Sequence, residues 1–163
     1  MEAARPAEPT DIGTIAALVR QAVAELRPQR GGDLWATRAA RAEPVEDQLA
    51  AALADADHEV LVGTIDGSTV GYAVAHTERL RDGRLLGVVD DVYVEPGARG
   101  IGVGEALMER LLEWATERGC SGLDAMVLPG NREAKNFFER FGLTARAIVV
   151  HRSLAPGDGR TSG

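Results

Sequence analysis

The apolar residues of the first half of the chain follow helical spacing in two segments. The first predicted helix begins after Thr10 and Asp11, which are good helix-starting residues. One of its faces is apolar and is formed by Ile15, Leu18, Val19 and Ala22. A second helix is predicted over roughly Val45 to Ala54. Pro28, Gly31 and Gly32 interrupt the chain between the two helices, which predicts a loop or a helix–helix corner.

The pattern then changes to β-type runs. The segments "HEVLVGTI" and "TVGYAVAHTE" are joined by Asp66 and Gly67, a pair typical of β-hairpin turns. A second candidate turn, "RDGR", leads into "LLGVVDDVYV". The spacing therefore predicts three consecutive antiparallel strands.

After Pro96 the helical period returns. Apolar residues at helical spacing follow Gly104, and Gly119 stands where a helix-ending glycine belongs. "LDAMVL" predicts a short strand, and Asn131 predicts the N-cap of a helix that ends at Gly142. "LTARAIVVHRSL" predicts a last strand, and we expect residues 155–163 to form a disordered tail.

This order of elements predicts an α/β (α+β) fold with a mixed sheet covered by helices. We find no internal repeat and no linker, so residues 1–154 are expected to form one domain.

Composition narrows the class of protein. The chain has 163 residues, of which 45% are hydrophobic and 26% charged, as in soluble globular proteins. The net charge of −7 argues against a nucleic-acid binder and is compatible with a cationic substrate. Cys120 is the single cysteine, so no intrachain disulfide is possible. We see no signal peptide or membrane span, so the expected location is the cytoplasm, with no membrane partner.

A glycine-rich corner lies between a predicted strand and a predicted helix. Arg99, Gly100, Gly102 and Gly104 would expose backbone N–H groups at a helix N-terminus, which favours a phosphate. A corner that serves only tight packing is the alternative. A nucleotide P-loop does not match because no lysine or hydroxyl residue follows Gly104, and the spacing GxGxG is a poor match to a dinucleotide fingerprint.

The same segment, "YVEPGARGIGVGEAL", resembles the acetyl-CoA signature of the GNAT N-acetyltransferase superfamily, R/Q-x-x-G-x-G/A. "NREAKNFFERFGL" resembles the second motif of that family, and the resemblance extends over roughly Ala4 to Leu154. It implies a mixed, mostly antiparallel central sheet of about six to seven strands flanked by about four helices. It also implies acetyl-CoA as cosubstrate and acetyl transfer to an amine by direct attack in a ternary complex.

The resemblance also implies positions for the cofactor. The diphosphate would lie on the corner formed by Arg99, Gly100, Ile101, Gly102, Val103 and Gly104. The pantetheine arm would pair like an added strand with the backbone of Val92, Tyr93 and Val94. The Val94 N–H would stabilise the oxyanion. Asn131, Phe137 and Phe138 would lie near the cofactor arm.

The adjacent carboxylates Asp90 and Asp91 lie in an otherwise apolar run. Strand alternation predicts one on each face of the sheet, with Asp90 beside Val88, Val92 and Val94. Either aspartate could serve only as an ion-pair partner. In polyamine acetyltransferases of the superfamily, the first acid of an equivalent pair is the general base. The resemblance therefore implies Asp90 as the base, with a water able to bridge it to the amine, and a structural role for Asp91.

Phe138 departs from the family pattern, which often has a tyrosine there to protonate the departing thiolate. This favours an alternative function, a non-catalytic acetyl-CoA-binding sensor or interaction module. The spacing of His58, His76 and His151 does not indicate a metal site. The acceptor is expected to be a small-molecule or peptide amine, and the apolar last strand could support a homodimer.

Overall fold

One mixed sheet forms the centre of the protein in the computed structural model, which describes residues 1–154. Its strands, in spatial and chain order, are β1 (Glu2–Pro6), β2 (His58–Ile65), β3 (Ser68–Arg79), β4 (Leu85–Val94) and β5 (Cys120–Ala125). The pairs from β1 to β4 are antiparallel, and β5 is parallel to β4. The three consecutive antiparallel strands predicted from the sequence are confirmed.

Five helices cover the two faces of the sheet. They are α1 (Ile12–Leu26), α2 (Gly32–Arg38), α3 (Val45–Ala54), α4 (Val103–Glu117) and α5 (Arg132–Arg140). The apolar sides of α1 and α3 pack with Val60, Tyr72 and Tyr93 on one face. The apolar side of α4 and Phe138 of α5 pack on the other face. The sheet therefore separates two apolar cores.

Gly63 of β2 allows the first turn of α4 to approach the sheet closely. A Cβ atom at this position would lie 2.6 Å from Cγ1 of Val103 and 3.1 Å from Cδ1 of Leu107. Because real Cβ atoms do not tolerate such distances, glycine here fixes the position of the α4 N-terminus against the strands. That N-terminus carries the glycine corner.

The turn and cap residues behave as predicted. Asp66 and Gly67 have positive φ angles of 48° and 85°, as a tight hairpin turn requires. The Asn131 side chain accepts a hydrogen bond of 3.1 Å from the Ala134 N–H and caps α5. The bounds of α3 coincide with the predicted helix.

Some predicted numbers and bounds of the elements differ from the structure. Within residues 1–154 the sheet has five strands, where about six to seven were expected, and five α-helices flank it, where about four were expected. The additional helix is α2, in the segment predicted as a loop or corner. Strand β5 begins and ends three residues earlier than predicted, at Cys120–Ala125.

The predicted last strand is not formed: residues 144–154 have no regular secondary structure. Ile148, Val149, Val150 and Leu154 are 84 to 88% exposed. The β-type composition of this segment is not sufficient to form a strand, because a strand also requires a paired partner, and the segment does not pair with the outer edge of β5. The predicted disordered tail, residues 155–163, lies outside the described residues. Within residues 1–154, no helix is long and apolar enough to cross a membrane.

Candidate active site

A β-bulge in β4 determines where the two adjacent carboxylates point. Val74 of β3 pairs with Asp91, whereas the next residue, Ala75, pairs with Val89, so Asp90 is the extra residue of the bulge. Asp90 and Asp91 both line the same cleft, on the α1–α3 side of the sheet. The prediction that they lie on opposite faces was wrong, because the bulge breaks the two-residue alternation.

Asp91 belongs to a partly buried network. Its carboxylate forms an ion pair with Arg41, with one contact of 3.3 Å from the Arg41 Nε, and accepts a hydrogen bond of 3.0 Å from the Tyr72 hydroxyl. The side chains of Arg41 and Asp91 are only 10% and 17% exposed. Burial, reinforced by the Asp91 charge, raises the pKa of Tyr72 well above its usual value. This network supports the structural role expected for Asp91.

Asp90 is more accessible, with 28% of its side chain exposed, and its Oδ2 lies 2.8 Å from Nδ1 of His76. The cleft has a volume of about 400 Å³. Besides the two aspartates and Arg41, its lining includes Trp35, Gln48, His58 and His76. The predicted base is thus placed in a cleft with an aromatic wall, large enough for a small amine or a peptide end.

The glycine corner has the backbone geometry that the sequence predicted. Gly100 and Gly102 have φ angles of 80° and 102°, and Gly102 is the N-cap of α4. Val103 begins the helix and is buried, whereas Ile101 is half exposed. At Gly104 a Cβ atom would lie 3.0 Å from the Phe137 ring. The first N–H groups of the 15-residue α4 are therefore available for an anion.

Arg99 is bound within the protein. Its two terminal nitrogens each donate to a carboxylate oxygen of Glu25 at 2.8 Å, and its Nε donates to the Val94 carbonyl oxygen at 2.8 Å. The guanidinium also lies over the Tyr93 ring, 5.3 Å from its centroid. Burial and the neighbouring Glu25 raise the pKa of Tyr93 to about 12. Arg99 therefore ties the glycine corner to β4 and to α1.

The end of β4 has one unpaired edge. In the part of the chain that the structure describes, β5 pairs with β4 only between Leu85 and Val89. On the other side, β4 pairs with β3 up to Val94, and the Glu95 N–H donates to the Val70 carbonyl at 2.9 Å. Because hydrogen-bonded and non-hydrogen-bonded pairs alternate, the N–H and C=O groups of Val92 and Val94 point away from β3, toward the open edge, where the Val94 carbonyl accepts the hydrogen bond from Arg99. The predicted pantetheine strand therefore has a vacant edge beside it.

The second motif packs α5 against α4. Phe138 is buried in the core on the α4 side, and Phe137 packs partly buried beside it, with ring centroids 5.3 Å apart. Phe137 also contacts Phe141 and lies against Gly104. Asn131 is the helix cap described above. These residues position the helix that adjoins the glycine corner.

Sequence reasoning missed the histidines of the cleft. His58 and His76 are direct cross-strand partners, and donor atoms of His58, His76 and Asp90 all lie within 4.8 Å of one another. The hairpin turn at Asp66 and Gly67 gives this pairing to within one residue: residues equally distant from the turn would pair His58 with Ala75, and the register shift between Gly63 and Thr64 moves the partner to His76. For Glu25 and Arg41 we find no such signal, since their partners are 74 and 50 residues away.

Taken together, the unpaired edge of β4, the glycine corner and the adjacent cleft define a class of α+β protein with a candidate anion site at a strand-to-helix junction. The family model described as "Acetyltransferase (GNAT) family" matches residues 16–143. The chain belongs to the GNAT family of acetyltransferases.

Individual relatives agree with this assignment. An aminoglycoside N(6')-acetyltransferase type 1 of Stenotrophomonas maltophilia is 32% identical over 124 residues, covering 70% of this chain and 78% of the relative. An uncharacterized N-acetyltransferase of Archaeoglobus fulgidus is 33% identical over 81 residues, covering 48% of this chain and 55% of the relative. The solved structure of a tetramutant of a Bacillus halodurans protein has the same fold, with a TM-score of 0.79 at 21% identity. The match covers 93% of this chain and 99% of that one. The chain spans about half the length of the first curated relatives it matches.

Proposed function

We propose that this protein is an acetyl-CoA-dependent N-acetyltransferase that transfers an acetyl group to a primary amine by direct attack in a ternary complex. The observation that carries the proposal is the open edge of β4 at Val92 and Val94, which leads from the Asp90 cleft to the glycine corner. A ligand with a diphosphate, an amide-bearing arm and a reactive end matches that path. Acetyl-CoA is the cosubstrate of the GNAT family.

The cofactor is held by backbone groups. The diphosphate lies on the N–H groups of Gly100 to Gly104, where the positive φ angles and the helix dipole favour an anion. The pantetheine amides pair with the Val92 carbonyl and the Val94 N–H as an added strand, with Tyr93 facing β3 between them, since the Val94 carbonyl is held by Arg99. Arg99 keeps the corner in place through Glu25, which compensates its charge, so the positive potential around the diphosphate comes from the N-terminus of α4.

The chemistry follows from this placement. The amine nitrogen attacks the thioester carbonyl carbon, and the resulting oxyanion is stabilised by the Val92 N–H, which points to the open edge beside Asp90. The resemblance implied the Val94 N–H, but Val94 lies at the end of that edge next to the glycine corner. Asp90 accepts the amine proton, directly or through one water. Collapse of the intermediate breaks the C–S bond and expels the coenzyme A thiolate. Phe138 cannot protonate it, and the thiolate leaves without an acid, since an ordinary thiol has a pKa of about 8.5.

The acceptor enters from the cleft on the α1–α3 side. Asp91 is neutralised by Arg41, so Asp90 is the acidic group left to attract a cationic amine, and Trp35 offers an apolar wall. A small-molecule amine and a peptide amine both match these features. We expect no nucleic-acid acceptor, in keeping with the net charge of −7.

Two measurements test the function. In calorimetry, acetyl-CoA should bind to the chain, whereas ATP and NAD should not. Release of free thiol in the presence of a panel of primary amines should then exceed release without an amine. Binding without amine-dependent thiol release would support the non-catalytic acetyl-CoA-binding module. Absence of acetyl-CoA binding would overturn both functions.

We also propose that two copies associate through residues 144–154. Contiguous exposed apolar side chains at Ile148, Val149 and Val150 are unusual for a monomer's surface. In residues 1–154, the edge of β5 that faces away from β4 has no strand partner, so a second copy could pair with it. Light scattering should give a dimer mass, and the double substitution Ile148→Lys and Val150→Lys should give a monomer. A wild-type monomer at all concentrations would contradict the proposal.

A further inference from the structure

Three side chains with metal-binding donor atoms meet at the mouth of the cleft. His58 begins β2, His76 lies opposite it on β3, and Asp90 is the bulged residue of β4. One donor atom from each lies within 4.8 Å of the other two, and the two imidazole centroids are 5.5 Å apart. Because the residues come from three adjacent strands, the sheet holds them together without any loop.

The donor set matches one class of ion. Two imidazole nitrogens and one carboxylate oxygen suit Zn²⁺ and neighbouring transition metals, whereas Ca²⁺ and Mg²⁺ prefer oxygen donors. With bonds of about 2.0–2.1 Å, tetrahedral ligand atoms lie roughly 3.3 Å apart. The 2.8 Å contact between His76 and Asp90 would open by about half an ångström, as a metal replaced the shared proton.

The Asp55 carboxylate also lies beside the His58 imidazole. Oδ2 of Asp55 lies 3.1 Å from Nδ1 of His58, and that nitrogen is buried without an aligned hydrogen bond. In metal sites, a carboxylate beside the second ring nitrogen usually fixes the tautomer and orientation of the metal-binding histidine. With the imidazole proton on Nδ1, beside the Asp55 carboxylate, Nε2 of His58 is the nitrogen with a free lone pair.

The surrounding charges permit a cation. Arg41 is the positive side chain that lines this cleft, and its guanidinium is paired with Asp91. Two carboxylates and one guanidinium leave the cleft with a formal charge of −1 when both histidines are neutral. A divalent cation is therefore not opposed by an uncompensated positive charge.

We propose that His58, His76 and Asp90 bind one Zn²⁺ ion, with the fourth coordination position open to water. The sequence-based expectation of no metal site considered spacing along the chain and not the register between strands. A coordinated Asp90 cannot accept a proton from an amine, so the ion acts as a reversible inhibitor. That consequence rests on the proposed acetyltransferase function, whereas the binding of Zn²⁺ does not.

The test uses the whole chain, freed of metal with a chelator and dialysed. Zn²⁺ is titrated by calorimetry, and Co²⁺ is added as a spectroscopic probe whose intense visible bands report tetrahedral coordination. We expect one ion per chain. His58→Gln and His76→Gln should each weaken binding at least tenfold, and Asp55→Asn should weaken it less. His151→Gln is the matched control, because it removes the remaining histidine, an exposed one outside the cluster, and should leave binding unchanged.

Failure of Zn²⁺ to bind at micromolar concentration would overturn the proposal, and so would equal binding by the wild-type chain and both cluster variants. Circular dichroism and thermal melts establish that each variant is folded, and Asp90→Asn provides an independent ligand deletion if a histidine variant does not fold. Acetyl-CoA calorimetry on the same samples separates the two proposals: loss of acetyl-CoA binding with retained Zn²⁺ binding contradicts only the function. Zn²⁺ should also slow acetylation of an amine, measured by product mass, and chelator should restore it.

Discussion

The Arg99 guanidinium is held by Glu25 through two nitrogen–oxygen contacts of 2.8 Å each, which connect the glycine corner to α1. If Arg99 acts by positioning the corner, Glu25→Gln and Arg99→Gln should each weaken acetyl-CoA binding about fivefold, and the double variant should be hardly weaker than either. Calorimetry of the wild type, the two single variants and the double variant measures this double-mutant cycle. Tighter binding by Glu25→Gln would instead mean that the released guanidinium contacts the diphosphate directly.

The same ion pair predicts a pH dependence of stability. Arg99 lowers the pKa of Glu25 below its ordinary value of 4.5, which favours the charged form in the folded state. The contribution to the free energy of unfolding is therefore fully present above pH 4.5 and is lost as the pH falls through the lowered pKa. Urea denaturation from about pH 6 to about pH 3 should show the wild type and Glu25→Gln converging. Glu109→Gln, an exposed position on α4, should show no such convergence.

Two glycines with nearly the same φ angle allow a controlled test of the corner. Gly100 and Gly67 have φ angles of 80° and 85°, and a Cβ atom at either would meet nothing within 4 Å. Gly100→Ala and Gly67→Ala should therefore cost similar backbone strain, about 1 kcal/mol. Only Gly100→Ala should weaken acetyl-CoA binding, because Gly67 lies in the β2–β3 turn. Equal affinities for the two variants would contradict the assignment of the diphosphate to this corner.

The Asp91 network should contribute measurably to the free energy of unfolding. Asp91→Asn leaves the partly buried Arg41 without its counter-charge, and we expect a loss of about 3 kcal/mol in the free energy of unfolding. Tyr72→Phe removes one hydrogen bond to a charged group and should cost about 1.5 kcal/mol. Asp82→Asn, in the exposed β3–β4 turn, is the control and should change stability by less than about 0.5 kcal/mol. An Asp91→Asn protein as stable as this control would show that the network does not stabilise the fold.

Local features of the sequence predicted the elements that depend on local interactions. The Asp66–Gly67 turn and the Asn131 cap are each determined by a few neighbouring residues. The sequence therefore predicts both of them from turn and capping preferences. The conformation of the glycine corner is also determined locally, because its positive φ angles favour glycine whatever the surrounding structure. The segment at residues 144–154 has equally clear β-type composition, but no local property supplies the edge that a strand needs.

The interior of the site depends on tertiary structure and was not predictable in the same way. The alternation argument for Asp90 and Asp91 assumes an unbroken ladder, and the single extra residue at Asp90 reverses its result. Likewise, Arg99 was expected at a phosphate, yet α1 brings Glu25 to it from far along the chain. Motifs thus predicted the backbone conformation of the glycine corner, whereas the partners of its charged side chains follow from helix packing.

The assignment of Asp90 as the base gives the sharpest kinetic prediction. Asp90→Asn keeps the shape of the side chain but removes its basicity, so turnover with a primary amine should fall at least about 100-fold. Acetyl-CoA affinity should change less than about twofold, because Asp90 lines the acceptor cleft and not the glycine corner.

Asp90→Glu retains a carboxylate and should recover part of the rate, whereas Asp82→Asn should behave as the wild type. All assays contain chelator, so that bound metal cannot mask the base. Full turnover by Asp90→Asn with intact acetyl-CoA binding would mean that another group takes the proton. His76, 2.8 Å from the Asp90 carboxylate, would then be the residue to substitute next.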